Sequence, residues 1–270
     1  MKKYFLFIAV IIVLISCKPS ADKSIASTVL YDSAYVPAVF ADANRVEKIK
    51  AAFTVIDSLY KKYATDNHFP AISFGIVVDG QLLYKNSYGY TDVAKKTPAT
   101  SASLFRIASM SKSFTCMAML KLRDEGKLNL DDPAYLYIPE LKNLKYPTAD
   151  APVITIRHLM THGAGFPEDN PWGDRQLADT DKDLMEFIGK QISFSNPPGI
   201  AYEYSNLGFA LQGKIISKVS GMRYQDYIKK NILDPLGMKT TTYEFGDVTP
   251  DKLAHGYRWL NEQWNEEILL

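Results

Sequence analysis

The segment that follows Ser109-Met110-Ser111-Lys112 stays apolar almost all round a helix, through Phe114, Cys116, Met117, Ala118, Met119, Leu120 and Leu122. A helix without a polar face has to be buried, so the rest of the chain must be built around it. The polar tetrapeptide at its start is then carried into the interior. Ser109 and Lys112 fall one turn apart on the same side of that helix. A serine hydroxyl is a weak nucleophile until a neighbouring base takes its proton. A lysine amine can do so, or help, when burial and neighbours make it a better base than it is in water. A buried helix start also aims backbone N–H groups at any oxyanion formed there.

The Ser-x-x-Lys spacing is weak by itself, because it recurs at Ser20–Lys23 and Ser58–Lys61. The first copy lies in a polar linker, and the second is expected at the end of a charged amphipathic helix. Only the copy at Ser109 opens a core helix.

With 270 residues, the chain is long enough for one sizeable core or two packed subdomains. Its net charge is +1, with two of the basic residues, Lys2 and Lys3, at the extreme N-terminus. A body so close to neutral gives no support for nucleic-acid binding.

Lys2 and Lys3 are followed by an unbroken apolar stretch from Tyr4 to Ile15 and then by Leu14-Ile15-Ser16-Cys17. The stretch is short for a bilayer span. It resembles a bacterial lipoprotein signal ending in a lipobox. That resemblance implies cleavage before Cys17 and acylation of its thiol and amino group, which would anchor the protein to a membrane of the cell envelope. Residues 1–16 are thus read as a signal peptide, 17–40 as a tether rich in Ser, Ala and Asp, and 41–270 as the folded body. With Cys17 lipidated, no intrachain disulfide can form, and Cys116 acts as a small hydrophobe.

Along the body, Asp42 to Tyr63 has helical spacing, with Val46, Ile49, Phe53, Ile56 and Leu59 on the apolar face. Ala71–Val78 reads as a strand, Asp79-Gly80 as a tight hairpin turn and Gln81–Tyr90 as the return strand. The helix at Ser109 should stop near Gly126. Helical pieces follow at Ile156–His162, Asp181–Lys190, Asn206–Val219 and Tyr224–Leu233, with a turn at Asn196–Gly199. A lone hairpin is marginal, yet no strand is expected before it and little chain remains after Tyr243 to supply partners.

Tyr204 and Asn206 lie on a loop just before an apolar helix, within Pro197-Pro-Gly-Ile-Ala-Tyr-Glu-Tyr-Ser-Asn206. A tyrosinate beside a lysine ammonium can act as a general base. An asparagine can hold a lysine and donate to a substrate carbonyl. Tyr84-Lys85-Asn86 has the same pattern, but in a strand, where its Tyr and Asn share one face and fit a structural role.

Phe105-Arg-Ile-Ala-Ser-Met-Ser-Lys112 together with Pro198-Gly199 and Tyr204-Ser-Asn206 resembles the serine β-lactamase-like family, in the branch of class C β-lactamases, D-alanyl-D-alanine carboxypeptidases and related esterases. Gly126–Pro133, Ile154–Gly163, Val219-Ser-Gly221 and Pro235-Leu-Gly-Met238 extend the likeness from about Asp42 to Tyr257. The resemblance implies an α+β fold of the β-lactamase/transpeptidase type, an antiparallel sheet flanked by helices with a mainly helical subdomain. It implies that Ser109 is acylated, Lys112 shuttles its proton, Tyr204 is the general base and Asn206 holds Lys112 and the substrate amide. It further implies that the Ser109 N–H is one oxyanion donor, that no cofactor is needed, and that the substrate is a β-lactam, a D-amino-acid peptide or a small ester.

The chain departs from the family in one respect. Its third motif, Lys-Thr-Gly or His-x-Gly on a later strand, does not occur; Lys239-Thr240 is followed by Thr241. The expectation is therefore a C-terminally truncated member without its last strands and closing helix, and with a half-built oxyanion site. The alternative function is an impaired remnant or binding module of the same fold.

His158 and His162 are four apart and could bind a metal on a helix. However, Leu159 stands where His-Glu-x-x-His has its glutamate and no third ligand suggests itself, so structural histidines are expected. Trp172, Trp259 and Trp264 are dispersed and read as packing or pocket rim.

Overall fold

A computed structural model describes residue 36 and residues 39–169 and 180–267. The signal segment, Cys17, Trp172 and all of the tether except Val36, Val39 and Phe40 lie outside the described residues. The chain divides into two units, Met1–Arg45 and Val46–Leu270, and the second contains Ser109, Lys112, Tyr204 and Asn206.

The expected helix from Asp42 to Tyr63 is two helices, α1 (Arg45–Ala51) and α2 (Phe53–Asp66). Phe53 and Tyr60, seven residues apart on one stripe, lie on the sheet. Tyr60 stacks on Phe74 with centroids 4.1 Å apart, and Phe53 on Tyr84 at 4.6 Å. These rings take the inward face, and Leu59, expected there, is 62% exposed. Ser58 and Lys61 fall within α2 rather than at its end, and the Ser58 hydroxyl donates to the Thr54 carbonyl at 2.9 Å.

The sheet is antiparallel in the order β1 (Ala71–Val78), β2 (Gln81–Asp92), β3 (Thr97–Pro98). Asp79 and Gly80 both have positive φ, 52° and 74°, the conformation that matches a two-residue turn to the twist of its strands. β2 runs two residues beyond the expected Tyr90. On its α2 face, Tyr84 and Asn86 donate to Asp57, each at 2.8 Å, so this second Tyr-x-Asn copy is structural. Hydrogen bonds led by Tyr88 and Asn86 hold the Asp57 carboxyl below its usual range.

A second hairpin, β4 (Gly256–Leu260) and β5 (Gln263–Glu267), forms in the short stretch after Tyr243, from which little was expected, and it pairs with itself as a separate sheet. Asn261 and Glu262 turn it with positive φ. Trp259 and Trp264, which read as dispersed, meet edge to face across it, and Trp264 Nε1 donates to the His68 carbonyl at 2.8 Å. The His255 N–H donates to the Thr91 carbonyl at 2.9 Å, tying the approach to β4 against the end of β2.

The core is helical. It is formed by α3 (Ser111–Asp124), α4 (Ile156–Met160), α5 (Asp181–Gly189), α6 (Asn206–Ser220) and α7 (Tyr224–Ile228) with the loops between them. Met119, Leu122, Leu159, Leu211 and Ile215 are almost wholly buried, and each such side chain contributes roughly 1.5–3 kcal/mol. α3 buries a stripe of Thr115, Ala118, Met119 and Leu122, and leaves Met117 41% exposed. Phe114, Cys116 and Leu120 are half-buried, so the helix is covered on most sides, as expected, and open only along Ser113, Met117 and Asp124. Left-handed glycines follow α3 and α6 at Gly126 and Gly221, both with φ 69°. α4 is shorter than expected, and the helix expected over Tyr224–Leu233 passes into a π turn at Lys229–Leu233. Among the described residues, no helix is long and apolar enough to cross a membrane.

Candidate active site

Ser109 sits in a single 3-10 turn (Ala108–Met110) that leads directly into α3, and Met110 is the N-cap of that helix. Ala108 has φ 43°, a left-handed conformation that is costly for a residue with a Cβ and that is held in place here by its surroundings. The turn and the first turn of α3 keep Ser109 and Lys112 on one side. Lys112 Nζ donates to Ser109 Oγ at 3.0 Å.

The other partners come from the start of α6. Lys112 Nζ also donates to the Tyr204 hydroxyl at 2.7 Å and to Asn206 Oδ1 at 2.7 Å. Three acceptors use the three protons of one ammonium. The Tyr204 hydroxyl is 2.7 Å from Ser109 Oγ. Serine, lysine and tyrosine therefore form a closed triangle of hydrogen bonds, with Asn206 fixing the lysine from outside it. Such a triangle can pass a proton from serine to tyrosine while the ammonium stabilises the negative charge that develops.

Several local devices hold Tyr204-Ser205-Asn206 in place. Ser205 caps α6 by accepting the Gly208 N–H at 3.0 Å. Asp169 accepts the N–H of Asn206 at 2.6 Å, the N–H of Leu207 at 2.8 Å and the Ser205 hydroxyl at 3.1 Å. This places a carboxylate at the positive end of the helix. The loop before Tyr204 is laced to the loop after α4. Ser195 donates to the Gly165 carbonyl, Gly199 to Gly163 and Glu203 to His162, at 2.8–2.9 Å. At Gly165, with φ 78°, a Cβ would collide with the Asn196 carbonyl, so only glycine lets the two loops close.

His158 and His162 serve separate purposes. His158 completes a capping box at the start of α4, its Nδ1 accepting the Thr155 N–H at 3.3 Å. His162 leaves the helix with φ 56° and accepts the Ser205 N–H on Nδ1 at 3.0 Å. Burial lowers both pKa values from the usual histidine range, and for His162 the Lys112 charge adds to the effect. No group of three or more potential ligands gathers among the described residues.

Ser109 opens onto a groove of about 1620 Å³ that runs along α6, with Leu184, Phe187, Phe209, Met222 and Tyr224 in its lining. Asp169 and the contacts of His162 with the Tyr204 loop went unread in the sequence. Asp169 lies in an aperiodic loop, and His162 stood out for its distance from His158 and as part of the family-like stretch Ile154–Gly163, neither of which points to Tyr204.

Residues 56–268 match the protein family described as Beta-lactamase. The chain belongs to that family. Its fold is the β-lactamase/transpeptidase type, with antiparallel sheets and helices. Protein flp of Staphylococcus aureus (strain MW2) is 34% identical over 208 residues, covering 75% of this chain and 40% of that protein. An octameric penicillin-binding protein homologue from Pyrococcus abyssi superposes with a TM-score of 0.68 at 32% identity, over 79% of this chain and 50% of that one. A class C beta lactamase superposes with a TM-score of 0.68 at 26% identity, over 86% of this chain and 60% of that one. The chain thus spans about 40% of the first of these Beta-lactamase relatives and half to three fifths of the two solved structures.

Proposed function

We propose that this chain is a serine hydrolase that works through an acyl-enzyme on a β-lactam, a D-amino-acid peptide or a small ester. The observation that carries the reading is the ammonium of Lys112, whose three protons go to Ser109, Tyr204 and Asn206. Family membership and the likeness to a class C beta lactamase and a penicillin-binding protein homologue support it.

In this scheme Tyr204 starts as the phenolate beside the Lys112 ammonium; the Ser109 oxygen attacks the substrate carbonyl and its proton passes to the Tyr204 oxygen, 2.7 Å away. The Ser109 N–H stabilises the oxyanion. Tyr204 then gives the proton to the departing nitrogen or oxygen as the acyl bond breaks. In the second half Tyr204 takes a proton from water, the hydroxide attacks the acyl carbonyl, and Ser109 recovers its proton as the acid leaves. Asn206 keeps Lys112 aimed at both oxygens and presents its amide NH2 to the substrate. Cys17 carries the lipid that anchors the protein to an envelope membrane, which puts this chemistry outside the cytoplasm.

A fluorophosphonate probe and intact-mass measurement test the reading. Wild type gains one adduct, which Ser109→Ala abolishes. A folded wild type that gains none overturns the reading and favours a binding module of the same fold. Comparing a chromogenic cephalosporin with a p-nitrophenyl ester separates the substrate classes. Metabolic labelling with a fatty acid, lost in Cys17→Ser, tests the anchor.

A further inference from the structure

His162 grips the candidate base from three directions. Its carbonyl accepts the Glu203 N–H at 2.9 Å. Its Nδ1 accepts the Ser205 N–H at 3.0 Å. Its ring stacks on Tyr204, with centroids 4.7 Å apart and planes 26° apart. One residue therefore holds the backbone on both sides of Tyr204 as well as a face of its ring. His162 does this from φ 56°, a conformation that persists only where the surroundings over-determine it.

We propose that His162 is a positioning residue for Tyr204, that it acts as the neutral imidazole, and that its protonation switches the site off on the acid side. With Nδ1 accepting from a backbone N–H, the ring proton sits on Nε2. A second proton can go only to Nδ1, where it would turn the acceptor into a donor facing another donor. The Ser205 bond would fail, and Tyr204 would lose its hold.

The groups facing the ring bias this equilibrium in both directions. Lys112 of α3 opposes a second proton, and Asp169 favours it. Tyr202, Tyr204 and Phe209 surround the ring with aromatic faces, and burial is the largest influence. The balance holds His162 neutral at neutral pH.

The kinetic arm of the test rests on the acyl-enzyme reading. His162→Asn keeps an acceptor near the Nδ1 position and tolerates positive φ, but it cannot titrate. His162→Phe keeps the ring and loses the acceptor. The rate of fluorophosphonate labelling at Ser109 is read from about pH 5 to about pH 7.5, the range in which histidine titrates. His162→Phe labels roughly tenfold to a hundredfold more slowly than wild type at every pH, the scale of a misplaced catalytic group. His162→Asn is also slower, but its rate falls less than that of wild type as the pH drops. Parallel decline of His162→Asn and wild type, or wild-type labelling by His162→Phe, overturns the proposal. A second arm needs no catalysis and no folded variant. In wild-type NMR spectra the Ser205 amide and the His162 ring carbons follow one titration curve; a Ser205 amide that ignores the His162 titration overturns the proposal. Wild type that never labels defeats the acyl-enzyme reading alone and leaves the NMR arm to decide whether His162 holds Ser205.

Discussion

The Tyr204 hydroxyl and Ser109 Oγ lie 2.7 Å apart, although 95 positions of sequence separate them. The packing of α3 against α6 makes this contact, and it leaves both oxygens within reach of Lys112 Nζ, at 2.7 and 3.0 Å. The buried stripes of the two helices thus set the geometry of the polar residues at their starts.

Tyr204→Phe isolates the hydroxyl, because it leaves the ring on His162 and removes only the oxygen. Acylation of Ser109 by a p-nitrophenyl ester, followed by stopped flow, should slow by roughly a hundredfold to ten-thousandfold, the range for a lost general base. The thermal midpoint should change little. An unchanged acylation rate would remove Tyr204 from the role of base.

Asp169→Asn probes the start of α6. Asn keeps one acceptor oxygen, but it loses the charge and one of the two oxygens that now serve Ser205, Asn206 and Leu207. The expected loss in urea unfolding is about 1–2 kcal/mol, the scale of a helix cap, together with slower acylation. Unchanged stability would show that the three bonds are dispensable.

Gly165→Ala adds a Cβ where the Asn196 carbonyl already lies, at a left-handed φ of 78°. The clash and the backbone strain together should cost on the order of 2 kcal/mol or more. Because Gly165 and Gly163 anchor the loop that leads to Tyr204, acylation should fall along with the thermal midpoint. Gly246→Ala, which meets nothing within 4 Å, is the control.

Stability should fall as the pH drops below about 6.5, the ordinary histidine value. Burial lowers the pKa of both His158 and His162. The unfolded chain therefore takes up protons in this range that the folded chain refuses. The stabilisation is complete above the unfolded value and is lost as pH falls toward the folded values. The urea midpoint should drop between about pH 7 and pH 5, and less steeply in His162→Asn. The carboxylates with lowered values, such as Asp57 and Asp131, act at lower pH and fall outside this window. A midpoint that rises on acidification contradicts the assignment.

The parts of the site legible in the sequence were those encoded locally. The spacing of Ser109 and Lys112, the turn at Asp79-Gly80 and the glycines ending α3 and α6 all depend on neighbours a few residues away. The loop before an apolar helix set Tyr204 and Asn206 apart from Tyr84 and Asn86 in their strand, but the Tyr-x-Asn spacing is weak and only the family likeness gave them roles; the structure adds the partners, Lys112 in one case and Asp57 in the other. Asp169 and His162 act through backbone N–H groups dozens of positions away, which leave no spacing to read. The β4–β5 hairpin was missed although Asn261-Glu262 is a turn. Its stabilising contacts, Trp259 stacked on His68 and Trp264 bonded to His68, are long-range. On α2, Phe53 and Ile56 fall on the half-buried side as expected, whereas Leu59 turns outward and Tyr60 takes the place beside Phe74.

The most direct test of the account is the intact mass of the protein after brief exposure to an excess of an activated ester or β-lactam, followed by peptide mapping. The account predicts an increase equal to one acyl group, located on Ser109, absent in Ser109→Ala and formed far more slowly in Tyr204→Phe. Folded wild type with no mass increase, or with the acyl group on a residue other than Ser109, would contradict it.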